Sequence, residues 1–334
     1  MSVSLIILIV LALAFDFLNG VHDSSNIVAT MISSRAMGPR SALVITALAN
    51  FAGPFIFGVA VANTIGHDIV NSETINLSVI IAALVSAVIW NILTWIIGIP
   101  SSSSHALIGG IIGSVIVGAG FDALIMSGIL KVILALIISP IIGFVAGMLI
   151  ANLITLLAWR ATPRINTIFK RMQIVTSVGL ALSHGTNDAQ KTMGIITLGL
   201  VISKTIPSFQ VPFWVIAACA GAIALGTSLG GWQLIKTLGS KFYKIRPVHG
   251  FASQVTSAIV ILTASLLGGP VSTTQVVSTA IMGVGAADRM SKVRWKVAGE
   301  IGLAWLVTIP ATALLAAGIY WLIQTGFPFI INFI

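Results

Sequence analysis

Four short stretches of this chain carry the groups that could do chemistry. Residues 17–26 read FLNGVHDSSN and residues 182–191 read LSHGTNDAQK, while residues 99–110 read IPSSSSHALIGG and residues 269–280 read GPVSTTQVVSTA. The first two set a carboxylate, Asp23 or Asp188, among Gly, His and amide side chains, with Lys191 three residues beyond Asp188. Carboxylates and freed carbonyls suit small cations. The other two set Pro ahead of a run of hydroxyls, as at the start of a helix whose open N–H groups and dipole favour an anion. Two carboxylates repel that anion unless a proton or a metal ion neutralises them. The residue types therefore point to an oxyanion and a cation that bind together.

The elements that must hold these groups are apolar. Hydrophobic residues make up 57% of the 334 and charged residues 7%, where soluble proteins carry about 25% charged residues; the mean hydropathy is +1.09. Apolar segments are expected near 3–31, 41–62, 76–98, 101–120, 129–158, 173–203, 211–232, 250–268, 271–287 and 297–324, most of them long enough to cross a bilayer as a helix. The fold class expected is an all-α polytopic membrane protein. The N-terminal stretch has no basic residue ahead of its apolar run and does not read as a cleavable signal. The single cysteine, Cys219, excludes an intramolecular disulfide and a thiol metal cluster. The net charge of +9 does not imply nucleic acid, because no soluble domain is expected to present a basic face.

The basic residues report orientation instead. If each segment crosses once, fourteen of the seventeen fall in loops on one side: Arg35, Arg40; Arg160, Arg164, Lys170, Arg171; Lys236, Lys241, Lys244, Arg246; and Arg289, Lys292, Arg294, Lys296. The opposite loops hold Lys131 and Lys204 with Asp68, Glu73 and Asp122. The positive-inside rule then puts the fourteen in the cytoplasm and both termini outside.

The motifs recur in order. Gly20 and Asp23 correspond to Gly185 and Asp188 at an offset of 165 residues; Pro100 and Ser102–Ser104 correspond to Pro270 and Ser272–Thr274 at an offset of 170. This is the pattern of a duplication, with residues 1–159 as the first repeat, 160–172 as a basic cytoplasmic linker and 173–334 as the second repeat. Five crossings per half would make the copies inverted, as in many secondary carriers. The interrupted motifs predict broken helices or re-entrant hairpins near the midplane, tolerable only where they line a cavity or are buried in protein.

Taken together, HGTNDAQKTMG, NGVHDSSN, PSSSSHALIGG and GPVSTTQ resemble the signatures of the inorganic phosphate transporter (PiT) family, and the resemblance covers essentially the whole chain. It implies a secondary carrier that imports phosphate with sodium or a proton by alternating access, without a cofactor, in the cell membrane and as a homodimer. It implies that Ser102, Ser103, Ser104, Ser272, Thr273 and Thr274 surround the phosphate; Gln190 and Lys191 are further candidate contacts. Asp23, Asn26, Asp188 and Gln190 are implied in cation binding or in ordering the helix breaks, with Asn187 as a further candidate and with Asp23 and Asp188 as the sodium ligands if sodium is the coupling ion. The family pattern in each half would be Gly-Ala-Asn-Asp, where this chain has Gly20-Val21-His22-Asp23 in the first and Gly185-Thr186-Asn187-Asp188 in the second, and Gln275 stands opposite His105 in the repeat.

Each residue also has a plainer reading. Ser and Gly let membrane helices approach closely; Lys191 either contacts phosphate or neutralises Asp188; His22, His105 and His184 either handle a proton or hold structure. Asp16 either extends a polar pathway or caps the helix break. Sulfate or another oxyanion would be accepted by hydroxyls and amides alone, so the choice of phosphate rests on the resemblance. A channel with hydroxyl filters and a membrane-embedded enzyme are the rival classes; near-duplicate chemistry in two halves disfavours an enzyme, which needs one differentiated site.

Overall fold

The computed structural model describes residues 2–99, 101–162, 164–231 and 246–326. Pro100, Trp232, Lys236, Lys241 and Lys244 lie outside the described residues. Among these, eleven α-helices follow one another: α1 Val3–Ser33, α2 Pro39–Phe57, α3 Ala60–His67, α4 Leu77–Ile97, α5 Ser103–Ala119, α6 Met126–Leu157, α7 Ile165–Ile202, α8 Phe213–Leu229, α9 Pro247–Leu266, α10 Thr273–Asp288 and α11 Trp295–Gly326. The described residues hold no strand beyond one isolated bridge, Val70 with Leu124. Six helices, α1, α2, α4, α6, α9 and most of α11, are long and apolar enough to cross a membrane. The chain is an all-helical, multi-pass membrane protein.

Local chemistry sets the boundaries. Ser2 caps α1 by accepting from the Leu5 amide, and Asn76 caps α4 by accepting from that of Val79. Pro39 and Pro247 occupy first-turn positions where no N–H is needed. The expected segment 41–62 is two helices, because the chain turns at Gly58 with φ 81°. The stretch read as a linker is mostly helical: residues 165–172 form the first turns of α7.

One expectation about the motifs is corrected. FLNGVHDSSN and LSHGTNDAQK do not break their helices; α1 and α7 run through them without interruption. Their short polar side chains bond back onto their own helix, Ser24 to the Val21 carbonyl, Ser25 to that of His22 and Thr186 to that of Leu182. The breaks fall at the Ser/Thr motifs, and the same turn makes both. α4 ends at Gly98 with φ 76°, and α9 is followed by Gly268 with φ 70°, a conformation that glycine adopts without strain. The chain then restarts at α5 and α10.

Packing relates the two halves. α1 packs on α8 and α7 on α2; α6 packs on α10 and α11 on α5. Gly20 of α1 lies on the backbone of Ile223, and Gly185 of α7 lies on that of Asn50, where a Cβ would overlap backbone atoms. These corresponding glycines let the helices approach to backbone contact.

Two large apolar clusters and a small third one fill the interior among the described residues. One large cluster takes Leu5, Leu8, Ala12 and Phe15 of α1 with Met193 and Ile196 of α7; the other takes Ile27, Val28 and Met31 of α1 with Leu180 and Ala181 of α7. Between them along both helices lie the polar motifs. Leu157, Leu306, Leu314 and Ile96 face outward at 66–78% exposure, as a lipid-facing surface would. Ser34, Gln173 and Pro247 meet through hydrogen bonds at one end, while Asn71, Glu73, Asp122 and Lys204 line one cavity at the other.

Candidate functional site

α1 and α7 bring Asp23 and Asp188 together in the layer between the apolar clusters, and the first turn of α10 is laid across them. Thr273 donates to Asp188 Oδ2 at 2.8 Å and reaches Asp23 Oδ2 at 3.2 Å; Thr274 donates to Asp23 Oδ1 at 2.7 Å. Asn26, one turn after Asp23, donates to the same Oδ1 at 2.6 Å and touches Thr274 at 3.1 Å. His184 Nε2 lies 2.9 Å from Asp188 and 3.3 Å from Asp23. Neither carboxylate is more than 3% exposed.

Lys191 closes the other side. Its ammonium pairs with Asp188 Oδ1 and donates to Ser104 Oγ at 2.6 Å and to the Val271 carbonyl at 2.8 Å. The Ser104 hydroxyl in turn donates to Val271 at 3.1 Å. One ammonium thus ties α7 to the starts of α5 and α10. A buried charge of this kind is tolerable because all three of its donors are used.

The two helix starts are built alike. Ser102 caps α5, accepting from the His105 amide at 3.2 Å; Ser272 caps α10, accepting from the Gln275 amide at 3.4 Å. The corresponding side chains His105 and Gln275 face each other, Nε2 to Nε2, at 3.3 Å. Ser103 donates to Asn19 of α1 at 2.7 Å. Two helix N-termini therefore meet in one buried place, next to hydroxyls, two carboxylates and a lysine. Such termini favour an anion. Asp23, Asp188 and His184 can also offer one atom each within 4.8 Å of the others, the donor set of a candidate cation site. Carboxylate and hydroxyl oxygens suit a hard ion, and a single imidazole suits a proton equally.

Helical spacing decides which motif residues reach this place. Asp23 and Asn26, and His184, Asp188 and Lys191, are three or four residues apart and share faces. Gln190 follows Asp188 by two and turns away: it accepts from the Val61 and Ala62 amides at 2.7 and 3.3 Å and donates to Gly58 at 2.6 Å, bridging α2 to α3. Asn187 donates to Ser265 and Gly269, bracing the turn that precedes α10. His22 contacts the Asn91 carbonyl of α4 at 2.8 Å, and His105 Nδ1 contacts Ser102 at 2.7 Å. The geometry thus gathers Asp23, Asn26, His184, Asp188, Lys191, Ser104, Thr273 and Thr274, and leaves Gln190, Asn187 and His22 outside. Asn19, which holds Ser103, is a member that motif reading missed; it lies one turn before Asp23 on the same face.

Comparison with known proteins gives the arrangement a setting. Residues 19–316 match the phosphate transporter family. A protein of Rhizobium meliloti (strain 1021) named "Probable low-affinity inorganic phosphate transporter" is 46% identical over 316 residues, 94% of this chain and 95% of its own length. One of Bacillus subtilis (strain 168) with the same name is 46% identical over 326 residues, 96% of this chain and 98% of its own. A solved structure described as "The sodium-dependent phosphate transporter" superposes with a TM-score of 0.89 at 25% identity, covering 96% of this chain and 99% of that one.

Proposed function

The chain belongs to the phosphate transporter family, and from that premise we propose that it imports inorganic phosphate together with a cation by alternating access. The observation that carries this reading is the meeting of the α5 and α10 N-termini over Asp23, Asp188 and Lys191. Phosphate would be held by the open amides and hydroxyls of Ser103, Ser104, Thr273 and Thr274, with Lys191 as its charge partner. The hydroxyls of Thr273 and Thr274 now donate to carboxylates; an anion seated at the helix starts would draw them round, and a cation would take their place against Asp23 and Asp188.

The coupling is electrostatic. A dianion placed against two carboxylates is repelled until a cation joins them, so cation binding raises anion affinity, and the anion raises cation affinity by the same factor. Sodium is supported as one such ion by the name of the structural neighbour and by the donor set of Asp23, His184 and Asp188. Hydrogen phosphate also keeps an O–H that can donate to a carboxylate, which sulfate at neutral pH lacks. That difference supports phosphate over sulfate if Asp23 or Asp188 faces the anion.

Residues 1–159 and 173–334 act as two inverted repeats, and rocking between them exposes the site to each side in turn. The fourteen basic loop residues face the cytoplasm, both termini face outward, the protein lies in the cell membrane as a homodimer, and it transports its solute without changing it chemically. Equilibrium binding of labelled phosphate to purified protein tests the site. Affinity is expected to rise with sodium or proton concentration, and to fall at least about tenfold, one charged hydrogen bond's worth, in Ser104→Ala combined with Thr273→Ala. Cation-independent affinity, unchanged in that variant, would refute the assignment.

A further inference from the structure

Asp16 is a carboxylate that the phosphate site does not use. It lies seven residues before Asp23 on the same face of α1, about 10 Å along the axis at 1.5 Å per residue, and it is 0% exposed. Neither of its oxygens makes a hydrogen bond of good geometry, and its neighbours are two weak neutral donors, the Thr192 hydroxyl of α7 and the Cys219 thiol of α8, both 0% exposed. The titratable and charged groups facing it are Asp188, Lys191 and His184 of α7 and the buried Cys219 thiol of α8; α4, also packed on α1, has no titratable side chain. Lys191 and His184 are engaged by the Asp23–Asp188 pair.

An ionised carboxylate in such surroundings has only a hydroxyl and a thiol to offset its desolvation, whereas the neutral acid loses little. The side chains beside it are one hydroxyl and one thiol, poor in the oxygen ligands a hard metal ion gathers. Its position is also directional. Thr192 lies one turn past Asp188 toward the end of α7 where Leu198, Val201 and Ile202 line a cavity of about 1140 Å³ with His67, Glu73 and Asp122. Asp16 stands between that cavity's end of the bundle and the carboxylate pair.

Resting on the reading of the chain as a phosphate–cation symporter, we propose that Asp16, with Thr192, is a second cation site that carries a proton. Hydronium in the outer cavity gives a proton to the carboxylate and is left as water, forming the O–H bond of a neutral acid. The acid crosses within the closed bundle and releases the proton to water on the inner side, leaving the carboxylate to be reprotonated from outside. No electron changes hands. Each phosphate thus enters with one proton more than the Asp23–Asp188 site supplies.

The test uses purified full-length protein in proteoliposomes, unsubstituted and as Asp16→Asn and Asp16→Glu. Phosphate–phosphate exchange is measured beside accumulation driven by an inward proton gradient, with a trapped pH dye reporting protons per phosphate. Asp16→Asn is expected to retain exchange, to lose proton-driven accumulation and to admit one proton fewer per phosphate; Asp16→Glu restores both. Infrared difference spectra are expected to lose a protonated-carboxyl band in Asp16→Asn. Unchanged stoichiometry and gradient response in Asp16→Asn would overturn the proposal, and so would loss of exchange in that variant. Absence of phosphate exchange in the unsubstituted protein would instead overturn the phosphate reading beneath it.

Discussion

Lys191 and Asp188 offer the sharpest energetic test, because each is at most 2% exposed and each is the other's charge partner. Lys191→Met removes the ammonium, leaves Asp188 Oδ1 buried without it, and takes a donor from Ser104 and from the Val271 carbonyl. Breaking a buried pair by removing one partner costs about 3–5 kcal/mol, much of it the desolvated charge left behind. Asp188→Asn leaves Lys191 in the same position, so independent effects would sum to about 6–10 kcal/mol in the double variant. With both charges gone no orphan remains, and the double variant is expected near the cost of one single change, a coupling of about 3 kcal/mol at the upper end for contacting residues. The assay is reversible unfolding of the four proteins in mixed detergent. Costs that add to within about 0.5 kcal/mol would refute the reasoning, since that is how residues without a shared interaction behave.

Three further outcomes follow from the geometry. Gly185→Ala drives a Cβ into the backbone of Asn50 and should destabilise by about 1–3 kcal/mol, whereas Gly179→Ala on the same helix meets nothing within 4 Å and should be neutral or stabilising by up to about 1 kcal/mol; thermal unfolding of the pair checks both. Ser272→Ala removes the cap of α10 and should cost about 1 kcal/mol, read by the same assay. Asp23→Asn keeps an acceptor for Thr274 but loses the charge, so it should fold and bind detergent normally while gradient-driven phosphate uptake collapses; normal uptake would remove Asp23 from the coupling site.

Much of the bundle is legible in the sequence because lipid demands long apolar helices, and each of the ten expected segments overlaps one or two of the eleven helices described. The division of 41–62 was hidden because Gly58 acts through a single positive φ inside an otherwise apolar run. The motifs at Asp23 and Asp188 look like helix breaks since both combine Gly with small polar residues. Their glycines serve close packing and their hydroxyls bond within the helix, so composition alone misleads about the backbone. The breaks at Gly98 and Gly268 leave a clearer mark, a glycine followed two residues later by Pro and then by hydroxyls. Within the site, the motifs name the right stretches but not the right faces. A helix turns 100° per residue, so Gln190 points away from Asp188 while Lys191 does not, and Asn19 could have been found by stepping back one turn from Asp23. What spacing cannot supply is which partner each face meets: the bond from Lys191 to Ser104 spans 87 residues.

The measurement closest to the central claim is uptake of labelled phosphate into proteoliposomes under an imposed sodium gradient, a proton gradient or neither, with sulfate as competitor. Concentrative phosphate uptake that requires a cation gradient and is insensitive to sulfate is the result expected of a phosphate–cation symporter with its anion at the α5 and α10 starts. Phosphate that merely equilibrates under every gradient, or is displaced by sulfate that itself accumulates, would contradict it.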